Sequence, residues 1–142
     1  MKGFSINIEK DALENNNFRK VLYNAKRLQL VLMNLKVGEE IRKEIYSNNH
    51  QFFRFESGNG KCVIDWNVYR VFYGDLLIVP AGAKRNIIYV DEKLTLKMYT
   101  IYATPNHENG LIRATKNEAD ESGKKFDSKT TEWKQKIIKN SN

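Results

Sequence analysis

Few residues in this chain have the chemistry for binding or catalysis, and their spacing says which of them share a surface. Glu44 and Tyr46 stand two apart in a stretch with strand character, so alternation puts a carboxylate and a phenol on one face. His50 directly precedes Gln51, and a period of two therefore sends it to the face opposite Gln51. The second histidine, in Pro105-Asn106-His107-Glu108, follows the last strand-like segment. Both histidines are expected to be exposed or locally hydrogen-bonded rather than ligands. The single cysteine has no internal partner, and its place in Cys62-Val63-Ile64 reads as a buried, inert thiol. Arg85 is a fixed cation that lies just beyond the turn Pro80-Ala81-Gly82.

The elements that must position these residues are short strands. Gln29–Met33, Gln51–Phe55, Lys61–Asp65, Val68–Phe72, Leu76–Val79, Asn86–Val90 and Leu94–Tyr102 are rich in strand formers and separated by turn signals such as Ser57-Gly58-Asn59-Gly60. Strands this short and evenly spaced, with no helical pattern between them, predict an antiparallel sandwich or barrel. After Ala103-Thr104-Pro105 the chain turns polar and loses its strand signal. Residues 114–122 and 131–139 each read as a short helix, the second with Trp133 and Ile137 four apart on one face. The expected organisation is a barrel over residues 1–106, including an N-terminal strand at Phe4–Ile8, and a polar, basic tail over 107–142.

Composition bounds the partners. With 142 residues, 41% hydrophobic and 29% charged, the chain can bury one core but not two. No apolar run approaches the roughly 18–20 residues of a membrane span, and the N-terminus shows no apolar signal core. A cytoplasmic protein with no membrane partner is expected. The net charge of +7 is concentrated at the end: residues 124–142 carry six Lys against Asp127 and Glu132, leaving +3 for the first 123 residues. A solvated Lys-rich tail accounts for most of the surplus, and a nucleic-acid partner is not expected.

Two stretches carry a recognisable framework. Gly38 is followed after five residues by Glu44-x-Tyr46, after four more by Gln51, and after six by Gly58. Gly74 is followed after five residues by Pro80-x-Gly82 and after two by Arg85. These spacings resemble the paired motifs of the cupin superfamily, which implies an all-β fold, an antiparallel double-stranded β-helix (jelly-roll barrel) with a short helical or irregular C-terminal tail. Asn17–Tyr23, Gln51–Arg54, Tyr99–Tyr102, Ala114–Lys116 and Phe126–Glu132 further resemble a group of small bacterial cupins often labelled mannose-6-phosphate isomerase-like. Those proteins commonly pair, so a homodimer is expected, with Phe4–Ile8 as a strand to exchange.

In many cupins the motif positions matched here by Glu44, Tyr46, Gln51 and Arg85 hold His, His, Glu and His around one divalent metal. The resemblance therefore implies a shared pocket, but the substitutions change its chemistry. Glu44 is a good oxygen ligand and Gln51 a weak neutral one. Tyr46 binds metal only as a phenolate, and Arg85 has no lone pair and repels a cation. No metal and no other cofactor is expected. Two arrangements remain: Arg85 pairs with Glu44 in place of the ion, or Arg85 receives the carboxylate or phosphate of a small ligand. As a binding module the barrel would hold a small polar or anionic metabolite through Glu44, Tyr46, Gln51 and Arg85. As an enzyme it would resemble the metal-free sugar-nucleotide isomerases and epimerases among cupins, with Glu44 as base and Tyr46 as acid. A metal-dependent isomerase or oxygenase is a third reading, carried by family likeness alone.

Overall fold

In the computed structural model, residues 1–45, 48–89, 94–121 and 124–132 are described, with the backbone alone for 42–45, 89 and 121. Alternating apolar residues drive the strands. On β9 (Leu96–Ala103) Leu96, Met98, Thr100 and Tyr102 point inward, and each intervening residue is half-exposed. On β4 (His50–Ser57) Gln51, Phe53 and Phe55 do the same. With β1 (Arg19–Asn24), β2 (Gln29–Leu35), β7 (Leu76–Val79) and β10 (Ile112–Arg113) they form one sheet, in the order β10-β1-β2-β9-β4-β7. The second sheet joins β3 (Glu40–Ile45), β8 (Lys84–Tyr89), β5 (Asn59–Ile64) and β6 (Asn67–Phe72) in the order β3-β8-β5-β6. Every pairing is antiparallel. The inner faces meet in one core, with Val31, Met33, Phe53, Phe55, Met98 and Ile87 at its centre. This is the expected all-β double-stranded β-helix.

The framework glycines act as expected. Gly58 joins β4 to β5 at φ +78°, and a Cβ there would lie 2.7 Å from the Thr95 carbonyl oxygen. Gly74, at φ +88°, lets the chain turn from β6 into β7, with its N–H donating to the Phe55 carbonyl at 2.9 Å.

The N-terminus departs from expectation. Phe4–Ile8 is not a strand: residues 1–7 are irregular and α1 spans Ile8–Glu14. Asn7 starts the helix by accepting from the Lys10 N–H at 3.0 Å, and Glu9 and Asp11 in the first turn suit its dipole. This capping signal overrides the short alternation of Phe4, Ile6 and Ile8. The helix covers the outer face of the larger sheet with Ala12 fully buried, which explains why Leu32 and Asn34 on β2 are buried on the face away from the core. Ahead of it, the N–H groups of Lys2 and Gly3 and the hydroxyl of Tyr23 donate to the Glu132 carboxylate, and Phe4 packs on Tyr23 at 5.4 Å. Tyr23 is held above its ordinary pKa, chiefly by that hydrogen bond, which conversely lowers Glu132.

The C-terminal segment contains a strand that its composition does not announce. Ile112 and Arg113 pair with Lys20 and Arg19, and Leu111 enters the core. Two residues are too few for alternation to show. The expected helix at 114–122 is α2 (Lys116–Glu121). The one expected at 131–139 lies outside the described residues from 133 onward. Among the described residues no helix is long and apolar enough to cross a membrane.

Candidate functional site

Arg85 points from β8 into the barrel and is 1% exposed. Its Nε donates to Gln51 Oε1 at 3.0 Å, and Gln51 Nε2 donates to Thr100 Oγ1 at 3.0 Å. One amide thus joins a cation on the smaller sheet to a hydroxyl on the larger. The guanidinium carbon lies 5.9 Å from the centre of the Phe53 ring, a contact that supports a desolvated cation. Cys62 stands two positions from the residue that Arg85 faces on β5. Its thiol is fully buried and pushed up to about 12 by burial, with Arg85 opposing, so the inert reading holds.

Of the four sequence-derived site residues, Gln51 and Arg85 are brought into contact. The strand register sets Glu44 directly opposite Arg85, the relation an ion pair requires. The side chain of Glu44, and with it the expected Arg85–Glu44 pair, lies outside the described residues, as does Tyr46. The two described positions do not suit a divalent ion. Gln51 already gives its carbonyl oxygen to Arg85, and Arg85 sets a positive charge where the ion would sit. Among the described residues, no three His, Cys, Asp or Glu side chains come together.

A second buried polar cluster adjoins the first. Gln29 begins β2 facing inward beside Tyr102, and its amide clamps the returning chain: Oε1 accepts from the N–H of Asn106 and of His107, each at 3.1 Å, and Nε2 donates to the His107 carbonyl at 2.8 Å. Nε2 also donates to Asn24 Oδ1 at 2.7 Å. His107 is accordingly 5% exposed, with Nε2 3.3 Å from the Tyr102 hydroxyl and the two rings edge to face. Local hydrogen bonding was the right expectation and exposure was not, because the Gln29 clamp folds residues 106–107 onto the barrel end. Burial, then Arg19, Lys125 and Arg85, hold the imidazole well below its ordinary pKa. His50 is exposed on the face opposite Gln51, where its Nδ1 accepts from the Ala81 N–H at 2.9 Å. Sequence reasoning missed Gln29 and Thr100 as inner polar groups. The signal was available: each is in phase with the apolar residues of its strand.

The fold is that of a cupin. Solved structures with the same architecture include the cupin domain of Schizosaccharomyces pombe Cnp3 (18% identity, TM-score 0.57, covering 72% of this chain and 69% of that one). An RmlC-like cupin from Methanocaldococcus jannaschii is similar at 18% identity and TM-score 0.56, over 73% and 91%. No protein-family model matches. A nearer likeness is to BH2720 of Bacillus halodurans, 33% identical with a TM-score of 0.83 over 85% of this chain and 96% of that one. Uncharacterized protein L612 of Acanthamoeba polyphaga mimivirus is 32% identical over 96% of this chain and 84% of its own length. Uncharacterized protein YrkC of Bacillus subtilis is 40% identical over 83% of this chain, a match that spans 66% of YrkC, just under two thirds. The chain has the cupin fold and belongs to one family with BH2720 and Uncharacterized protein L612.

Proposed function

We propose that the barrel binds a small anionic metabolite, with Arg85 as its anchor. The observation that carries this reading is a guanidinium buried to 1% exposure in the barrel wall and aimed by Gln51 and the Phe53 face. Such a group is suited to forked recognition of carboxylate or phosphate. Glu44, opposite in register, is the internal competitor that the ligand displaces, with Tyr46 and Gln51 completing the contacts. The likeness to cupins labelled mannose-6-phosphate isomerase-like makes sugar phosphates the first ligands to try. Thermal unfolding in the presence of sugar phosphates, nucleotide sugars and carboxylic acids should show stabilisation by at least one class, lost in Arg85→Ala. No shift across the panel would refute it.

A second reading, a metal-free isomerase or epimerase with Glu44 as base and Tyr46 as acid, gains from His107, a neutral imidazole buried against Tyr102 at the barrel end. It requires that Glu44→Gln lose turnover while still binding the ligand; equal loss of both returns the barrel to pure binding. The working state in this proposal is a cytoplasmic homodimer. It is supported by the edge strands β6 and β7, which expose Val68, Phe72, Leu76 and Ile78. The pinned N-terminus argues against its exchange. A monomeric mass in light scattering would count against the dimer.

A further inference from the structure

Between α1 and the strands β1 and β2 lies a cavity of about 380 Å³, on the outer face of the larger sheet. That volume falls within the roughly 300–1,000 Å³ of small-molecule sites. Asp11 and Glu14 of α1 and Asn16 just beyond it line one side, and Lys20, Leu22 and Leu32 of the sheet line the other. Residues three apart share a face of a helix, so the two carboxylates come to the cavity together. Lys20 is paired directly with Leu32, on the face opposite the core residues Val21 and Val31.

The charges around this space are unspent. Among the described residues neither carboxylate has an ion pair or a side-chain hydrogen bond. The Lys20 ammonium has none either, so it stands beyond ion-pair reach of both acids although it lines the same cavity. Asn16 gives Oδ1 to Lys97 at 3.3 Å and keeps its amide N–H groups. Two acids on one helical face repel each other mildly, a cost that a cation placed between them removes.

We propose that this cavity binds a free diamino acid such as lysine or ornithine. Its two ammonium groups go to Asp11 and Glu14, its carboxylate to Lys20 and the Asn16 amide, and its methylene stem lies on Leu22 and Leu32. The charges match one for one: two carboxylates and one ammonium line the cavity, and two ammonium groups and one carboxylate make up the ligand. A simple amine would leave Lys20 unmet, and a phosphate ester would face both carboxylates. The cavity lies outside the barrel, so it does not depend on the reading of Arg85 within it.

The test is a titration of the ¹⁵N-labelled full chain with lysine, to about 10 mM at constant ionic strength. Amide shifts at Asp11, Glu14, Asn16 and Lys20 should saturate together while those of Gln51 and Thr100 stay still. Norleucine, which lacks the second ammonium, and cadaverine, which lacks the carboxylate, should each bind at least about fivefold more weakly. Asp11→Asn and Glu14→Gln should each weaken lysine about fivefold. Lys20→Gln should weaken lysine yet tighten cadaverine, a reversal that a general pull of acidic residues on cations does not give. All three side chains are at least partly exposed, so the variants should fold. Absence of saturable shifts, equal binding of norleucine or cadaverine, or a Lys20→Gln variant that holds lysine as tightly would overturn the site. Saturable shifts at Gln51 and Thr100 with none at Asp11 would overturn it as well, and would assign the amino acid to the barrel interior.

Discussion

Acidification should destabilise this protein through His107, and the sign follows from its surroundings. In the unfolded chain the imidazole titrates near its ordinary value of about 6.5. In the fold, burial first and then Arg19, Lys125 and Arg85 hold it neutral well below that value. A group with a depressed folded pKa contributes stability above its unfolded pKa and loses it as pH falls, because only the unfolded state takes the proton. Each pH unit below about 6.5 then removes up to about 1.4 kcal/mol. Between pH 7.5 and 5.5 the loss is of that order, or roughly 3–5 °C in Tm for a domain of this size. Urea unfolding of wild type and His107→Gln across this window isolates the effect, since other titrations cancel in the difference. Gln keeps a polar group facing Tyr102 but cannot titrate. The wild-type curve should fall more steeply toward acid, and in NMR the His107 ring resonances should hold still from pH 7.5 to 5.5. Parallel stability curves, or a His107 resonance titrating in that range, would refute the reasoning.

Two further outcomes test the frame. Gly58→Ala combines a strained positive φ with a Cβ 2.7 Å from a backbone oxygen that cannot swing away, so it should cost about 2–4 kcal/mol; thermal melts measure it, and a loss under about 1 kcal/mol would show that the turn relaxes. Gln29→Met keeps the volume but takes the Gln29 acceptor from the N–H groups of Asn106 and His107 and one donor from the His107 carbonyl, which keeps Asn24 Nδ2 at 3.3 Å, and should cost about 1–3 kcal/mol with faster amide exchange at those two residues. Unchanged exchange there would mean that the clamp does not hold the returning chain.

Much of the barrel was legible because its information is local. A period of two marks β4 and β9, and the glycines at 58 and 74 stand where the backbone must take positive φ. The same periodicity separated Gln51 from His50. The N-terminal segment was misread as a strand from its apolar residues Phe4, Ile6 and Ile8; in the fold the Asn7 cap and burial of Ala12 against the larger sheet make its continuation helical.

What the sequence determined by itself was seven of the strands, β2 and β4 to β9, the turns between them, and the presence of a cation at position 85 where a metal ligand would stand. Tertiary structure alone decided what that cation meets, since Gln51, itself tied to Thr100, and Phe53 reach it only when two sheets close face to face. It likewise decided that His107 is buried and that Arg19 and Arg113 oppose each other, because both depend on residues roughly 80 to 95 positions apart being registered by backbone pairing and the Gln29 clamp. No local pattern encodes such a contact. It follows from the cost of leaving buried polar groups unpaired, which is settled only when the whole chain is in place.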